Sequence, residues 1–403
     1  MFQRLFLLTF LLGAGLVRGF ALETDSVAIA TGSDTVAAAA DSTAVQPNLP
    51  FYRKGLIGKV YDYFSESNKP HPDRKFDLSF IGGPHYSSEE GFGIGLVGSG
   101  LYRAGDFNNK ETPLSNVSLK LDVTTGQMYK IGAEGYHIFE GDRYRINYDV
   151  YFYSFKDKWW GIGYENDRND ANECRYKRLQ SQATGDFVFQ IAPSVFIGPQ
   201  AQFSYVNASR MAQPELLQGQ RTRLFNLGVG MTFLIDTRDI PTAATRGVHV
   251  RLDVLAHPRK MFNKMAFTAL ELVASHYRGL WKGGILAANQ HSRLTWGNTP
   301  WCHLSYFGGN HYMRGYWEGR YRDKMEADAT LELRQHVWGR SGVAVWGSAG
   351  TVFPRFSALR VKNILPCVGV GYRWEFKRGV NVRLDVGFGR GEKGINFSLN
   401  EAF

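Results

Sequence analysis

From Phe76 to the end of the chain the apolar positions recur with a period of two. In VSLKLDV (117–123), Val117, Leu119, Leu121 and Val123 share one face, and Ser118, Lys120 and Asp122 the other. RYRINYDVYF (143–152), VHVRLDV (248–254) and NVRLDVGF (381–388) repeat the pattern, the last with Arg383 and Asp385 on its polar face. Successive side chains of a strand point to opposite faces, so each run makes a strand with one apolar and one charged side. About sixteen such runs follow one another. They begin near Phe76, Gly91, Asn116, Gln127, Asp142, Tyr176, Ser194, Thr222, Gly247, Ala266, Gly284, Glu326, Ser341, Ile364, Gly379 and Gly394.

Alternation fits two architectures. A soluble sandwich buries the apolar face; a membrane barrel turns it to lipid. Many runs reach roughly 9–14 residues, near or above what a tilted strand needs to cross a bilayer. Their other face carries Arg, Lys, Asp and Asn, as a wet lumen allows, and Tyr and Trp gather near the run ends. A bilayer offers no water to an unpaired edge, so such a sheet must close on itself. The expected fold is therefore all-β, a sixteen-stranded antiparallel transmembrane barrel over residues 76–403. Its longer connections, 158–175, 209–221, 257–265, 297–325 and 353–363, face outward. Tight turns such as EGD (140–142) and Ala192-Pro193 face inward. The connections 105–115 and 237–246 are longer than this rule.

The N-terminus sets the compartment. Residues 1–21 carry Arg4, an apolar run from Leu5 to Val17 and the small-residue stretch Gly19-Phe20-Ala21, which reads as a cleavable export signal. Residues 22–50 are rich in Ala, Ser, Thr and Asp and read as a flexible linker. In 51–75, Leu56, Ile57, Val60, Tyr61 and Phe64 form one helical stripe, which packs on the domain or lies at a membrane interface. The net charge of +10 then faces an anionic envelope surface; an exported chain does not meet cytosolic nucleic acid.

Candidate chemistry is sparse. GIGLVG (93–98) matches a nucleotide-binding spacing, but no helix follows it. The histidines show no close metal-ligand grouping, the serines no nucleophile elbow, and Glu89-Glu90 sits in a loop. No catalytic residue, metal site or cofactor is expected. The three cysteines, Cys174, Cys302 and Cys367, are too few for a disulfide framework and allow at most one bridge, placed by this topology on the outer face.

One segment breaks the period. GGNHYMRGYWEGRYRDK (308–324) has clustered charges and the aromatics Tyr312, Tyr316, Trp317 and Tyr321, and it joins the eleventh and twelfth runs. Its MRGY, residues Met313, Arg314, Gly315 and Tyr316, resembles the Arg-Gly-aromatic motif of the BamA/TamA superfamily of outer-membrane assembly barrels, the bacterial surface antigen family. FLIDTRDIPTAATRG (233–247), with Asp236, Thr237, Arg238 and Asp239, LELRQ (331–335), GVNVRLDVGFG (379–389) and the closing NEAF are similar to further segments of that family in the same order.

The resemblance implies that the loop tucks into the lumen and that Arg314 meets a wall carboxylate. The candidates are Glu332 and Asp328 on the polar face of the twelfth run. It also implies a C-terminal strand signal at Phe397, Leu399 and Phe403. Two departures stand out. WGSAG (346–350) has Ser348 where the family often has Asp, and residues 22–75 are too few and too low in complexity for a periplasmic POTRA module. The implied function is non-enzymatic. The barrel would assist insertion, translocation or display of envelope proteins or lipids through a weak seam between first and last strands, FDLSFIGG (76–83) being short. Its surroundings would be outer-membrane lipids and a protein partner in the periplasm or outer membrane. A passive channel with the loop as plug is the other reading, and an enzyme assembled from distant strands a third.

Overall fold

The computed structural model describes residues 76–87, 91–105, 114–377 and 380–403. Pro70–Phe403 is the second of two units into which the chain divides. The signal, linker and helix expectations, the Glu89-Glu90 pair and most of the 105–115 connection lie outside the described residues.

Within the second unit the strands are β1 (Phe76–Ser87), β2 (Gly91–Tyr102), β3 (Ser115–Thr124), β4 (Tyr129–Ile138), β5 (Tyr144–Trp159), β6 (Cys174–Ala192), β7 (Val195–Ser209), β8 (Arg223–Asp236) and β9 (Gly247–His257). They continue with β10 (Phe267–Trp281), β11 (Gly284–Gly297), β12 (Ser305–Tyr306), β13 (Arg322–Asp323), β14 (Met325–Trp338), β15 (Ser341–Phe353), β16 (Leu365–Lys377), β17 (Val380–Gly389) and β18 (Lys393–Leu399). The chain is all-β and antiparallel, as its alternation predicts, and each expected run begins within about two residues of an observed strand. Neighbours follow the chain from β1 to β11 and then from β14 to β18; β12 and β13 form a separate ribbon.

The sheet order returns on itself where β18 meets β1, which among the described residues is at the register pair Ser87↔Asn396. β1 is not short, as the sequence suggested. It runs 12 residues and pairs with β2 along its whole length, because the pairing continues through Pro84, His85 and Tyr86. The short partner is β18, with 7 residues.

Burial is inside out by the standard of a soluble protein. On the outer face Ile94 is 68% exposed, Leu119 61% and Val370 56%, whereas Glu332 and Asp385 on the inner face are 0% exposed. A soluble domain hides its large apolar side chains and solvates its charges. This pattern suits lipid outside and a polar interior.

Antiparallel order delivers alternate connections to opposite rims. One rim carries the long loops 160–173, 210–222, 258–266, 298–324 and 354–364, and the other the two-residue turns 193–194, 282–283 and 339–340. At the long-loop rim a small apolar core forms, in which Trp301 and Leu304 pack on Trp159, Tyr176, Val206, Leu217 and Leu224. The indoles of Trp159 and Trp301 meet edge to face at 5.4 Å, and Trp301 Nε1 donates to Arg221 O at 3.0 Å.

A charge on the outer face should expose the lipid contact. Val370→Arg, midway along β16, is expected to destabilise the barrel in lipid vesicles by about 2–4 kcal/mol. Denaturant titration checks this; a change within about 0.5 kcal/mol, usual for a solvated surface position, would contradict it.

Candidate functional site

The connection between β11 and β14 is pinched at its neck. Ser305↔Asp323 and Tyr306↔Arg322 pair as β12 and β13, so residues 307–321 form a lobe with one base. One side of that lobe is apolar: Phe307, Met313, Tyr316 and Tyr321 pack with Val352, Leu365 and Cys367 of the wall. Met313 has φ 49°, a left-handed conformation unusual for a non-glycine residue, and its complete burial holds it there.

The other side presents Arg314, which is 1% exposed. Its Nη2 donates to Glu332 Oε2 on β14, and its Nη1 donates to Asp385 Oδ2 on β17 at 2.6 Å. Its guanidinium lies 3.7 Å above the Trp346 ring of β15. One planar, permanently charged group thus bridges two wall carboxylates and stacks on an aromatic face, a geometry that lysine cannot copy.

The carboxylates are shared with three wall arginines. Arg373 Nη1 reaches Asp385 Oδ1 at 2.6 Å, Arg383 Nη1 reaches Asp385 Oδ2 at 2.8 Å, and Arg334 Nε reaches Glu332 Oε1 at 2.7 Å. Glu401 Oε2 accepts from Arg373 Nε at 2.8 Å. Four arginines against three carboxylates make a buried network in which charge-assisted bonds offset the cost of desolvation.

Two glycines let the loop backbone touch the wall. A Cβ on Gly315 would stand 2.8 Å from the backbone of Phe388 and Gly389, and one on Gly387 would stand 2.6 Å from Arg314 O. Asn396 Nδ2 of β18 lies 3.4 Å from Gly309 O and 3.5 Å from Arg314 O, and Arg383 Nη1 donates to Asn310 O at 2.9 Å. Tyr316 Oη donates to Pro366 O and accepts from Arg390 N, each at 2.7 Å.

From the rim a second loop clasps the lobe. The short helix α1 (Tyr164–Asp167) places Asp167 so that Oδ2 accepts Arg322 N at 2.7 Å, and Gly163 N donates to Arg322 O at 2.8 Å. Burial pushes the Asp167 carboxyl well above its ordinary pKa, against the opposing pull of the Arg322 N–H. Arg320 Nη2 reaches Asp170 at 2.6 Å and Arg320 Nη1 reaches Glu392 at 3.3 Å.

The other residues singled out in the sequence fall elsewhere. Asp328 does not meet Arg314; it faces His291 at 3.2 Å, four residues along β14 from Glu332 and so at a different height. Ser348 bonds Thr330 at 2.8 Å, and the second carboxylate for Arg314 comes from Asp385 instead. The alternation of NVRLDVGF already placed Asp385 inward; what it lacked was the lobe's reach across to β17.

Asp236, Thr237, Arg238 and Asp239 form a self-tied turn at the short-turn rim. Arg238 grips Asp236 with Nε at 2.9 Å and Nη2 at 2.8 Å, and Asp239 Oδ1 accepts from Ile240 N and Thr245 N, each at 2.9 Å.

Phe397 lies on β18, which ends at Leu399, but Phe403 is not on a strand. Asn400 turns the chain with φ 64°, Glu401 enters the arginine network, and Phe403 lies against Tyr277 with ring centroids 6.4 Å apart. The ion pairs of Glu401 outweigh continuation of the strand. All three cysteines are free; burial pushes the Cys302 thiol up to about 12, which keeps it protonated and unreactive.

No protein-family model and no curated protein matches the chain. Among solved structures it is similar to BamA from Haemophilus ducreyi lacking POTRA domains 1–3, at 12% identity and a TM-score of 0.54, covering 81% of this chain and 70% of that one. CdiB from Acinetobacter baumannii gives 11% identity and 0.51, and CdiB from Escherichia coli 9% and 0.53. The alignments cover 81% and 82% of this chain but only 60% and 64% of the CdiB chains. The chain has the outer-membrane β-barrel fold of BamA and CdiB, the fold its motifs resembled.

Removing the bridging guanidinium strands two buried carboxylates among fewer cations. Arg314→Ala is expected to destabilise the purified barrel by about 3–5 kcal/mol, and Arg314→Lys to recover little of the loss. Denaturant titration, with protease clipping inside 308–324, checks both; a lysine variant as stable as the parent would contradict the bridging role.

Proposed function

We propose that this chain is a non-enzymatic outer-membrane barrel that assists insertion, translocation or display of envelope proteins or lipids by opening laterally between β1 and β18. The observation that carries the reading is the seam: among the described residues one register pair joins β1 to β18, against 12 between β1 and β2 and 7 between β17 and β18. A strand edge with few partners opens at small cost and offers its backbone to an incoming strand.

The Arg-Gly-Tyr loop supplies the complementary half of the mechanism. It binds β17 and β18 from the lumen, through Asp385, Asn396 and the glycine-lined approach. β18 is thus braced by the loop rather than by β1, and β1 is free to swing with β2 while the loop keeps the lumen filled. A protein partner in the periplasm or outer membrane delivers the client. The likeness to BamA and CdiB is compatible with this class of work.

A second reading is a passive channel with the same loop as constriction. It is favoured by a polar cavity in the other half of the lumen, lined by Asp149, Gln182, Gln200, Arg251, Asp253 and Glu271.

Cysteines placed at Ser87 and Asn396, with the native three replaced by alanine, should lock the seam when oxidised. The expected result is loss of the ability to restore outer-membrane protein levels in depleted cells, reversed by reductant; unchanged restoration by the locked barrel would sink the lateral-opening mechanism. In planar bilayers small erratic openings are expected, whereas large steady conductance would favour the channel.

A further inference from the structure

Sequence spacing showed no metal-ligand grouping, yet the register of β11 against β14 creates one. His291 pairs with Asp328 and Arg293 with Glu326. All these positions point inward, so one imidazole and two carboxylates that lie 35 and 37 positions apart along the chain converge on the lumen face. His291 Nδ1 lies 3.2 Å from Glu326 Oε2 and 3.2 Å from Asp328 Oδ2. One donor atom of each residue lies within 4.8 Å of the others.

We infer that His291, Glu326 and Asp328 form a binding site for a divalent transition-metal ion of the zinc type. Three observations support it. First, the residues are buried, at 3%, 0% and 3% exposure, while Glu326 Oε1 and Asp328 Oδ1 are buried without a hydrogen-bond partner. Two carboxylates held together at such depth call for a cation. Second, the spacing fits. Donors at about 2.0–2.2 Å from a tetrahedral zinc stand about 3.3–3.6 Å apart, near the two 3.2 Å separations from His291 Nδ1.

Third, the imidazole is oriented as in a metal site. Its Nδ1 faces the two carboxylates, and its Nε2 lies 3.5 Å from Glu271 Oε1. Arg293 Nη1 holds the other Glu271 oxygen at 2.6 Å. His291 Nε2 has no hydrogen-bond partner at this distance, and Glu271 is the carboxylate toward which it would donate once Nδ1 holds an ion. The mixed imidazole and carboxylate donors suit zinc better than magnesium or calcium, which favour oxygen alone. Glu271 and Arg293 also line the polar lumen cavity.

The site touches the loop. The Tyr312 ring stacks on His291 with centroids 3.9 Å apart and planes 2° apart. An ion on Nδ1 leaves this face covered and holds the imidazole in the plane the tyrosine needs. The site stands whether or not the barrel opens laterally.

The test uses the full chain, purified without a histidine tag, stripped with EDTA and titrated in detergent with Co(II) and Zn(II). One equivalent of Co(II) should bind, with a visible d–d band that Zn(II) displaces. Asp328→Asn and Glu326→Gln keep the side-chain shape and should each weaken binding at least about tenfold, and Glu271→Gln about 10–100-fold. Each variant's fold is checked by its heat-dependent gel mobility. Absence of stoichiometric binding, or equal binding by the parent, Asp328→Asn and Glu326→Gln, would overturn the site; His291 would then be an imidazolium ion-paired to its carboxylates.

Discussion

The contact on which the structure most depends is Arg314 lodged between Glu332 and Asp385. Glu332 belongs to β14, at the start of the loop's own return, and Asp385 to β17, beside the seam. A single guanidinium therefore ties the loop to two wall strands across a polar interior. Arg334, Arg373 and Arg383 give the two carboxylates further partners, and Trp346 covers the cation's face. None of these charges would be tolerable at such burial alone. Each is held because the others are present, which makes the network cooperative and fixes where the loop sits.

That fixation explains how a barrel can carry a weak seam and keep its shape. Among the described residues the seam shows one register pair, and β18 has further contacts from elsewhere. Support comes from the lumen side: Asn396 lies against the loop carbonyls, and the backbone near Arg314 presses on the glycine-lined surface of β17 and β18. Beyond β18 the chain bends inward at Asn400. Glu401 joins Arg373, and His311 of the loop meets Ala402 O at 2.8 Å. Loop and tail together tie the end of the sheet to its interior.

The fold was legible because period two survives in every long strand, and because apolar residues on the outer face have no competing role. The loop was legible for the opposite reason: it is a long, charged and aromatic segment without a period. What local sequence could not give was which strands face each other across the interior. Asp328 and Glu332 look equivalent on the twelfth run, yet the loop's path brings Arg314 to Glu332 and Tyr312 to His291. Asp385 and the His291 cluster went unmatched because their partners are 71, 35 and 37 residues away. In the tail the alternation of Phe397, Leu399 and Phe403 is broken at Glu401; what the sequence could not show is that Arg373 and Arg334 draw that carboxylate inward and end the strand before Phe403.

On the proposed mechanism β1 and β18 part more readily than any other pair of neighbouring strands. Hydrogen–deuterium exchange on the barrel in lipid nanodiscs measures this directly, since ladder amides exchange only when their bonds open. Amides of β1 and β18 facing the seam are expected to exchange well ahead of those in the β2–β3 and β14–β15 ladders, and Arg314→Ala is expected to speed β18 further. Protection at the seam equal to that of the β14–β15 ladder would contradict it.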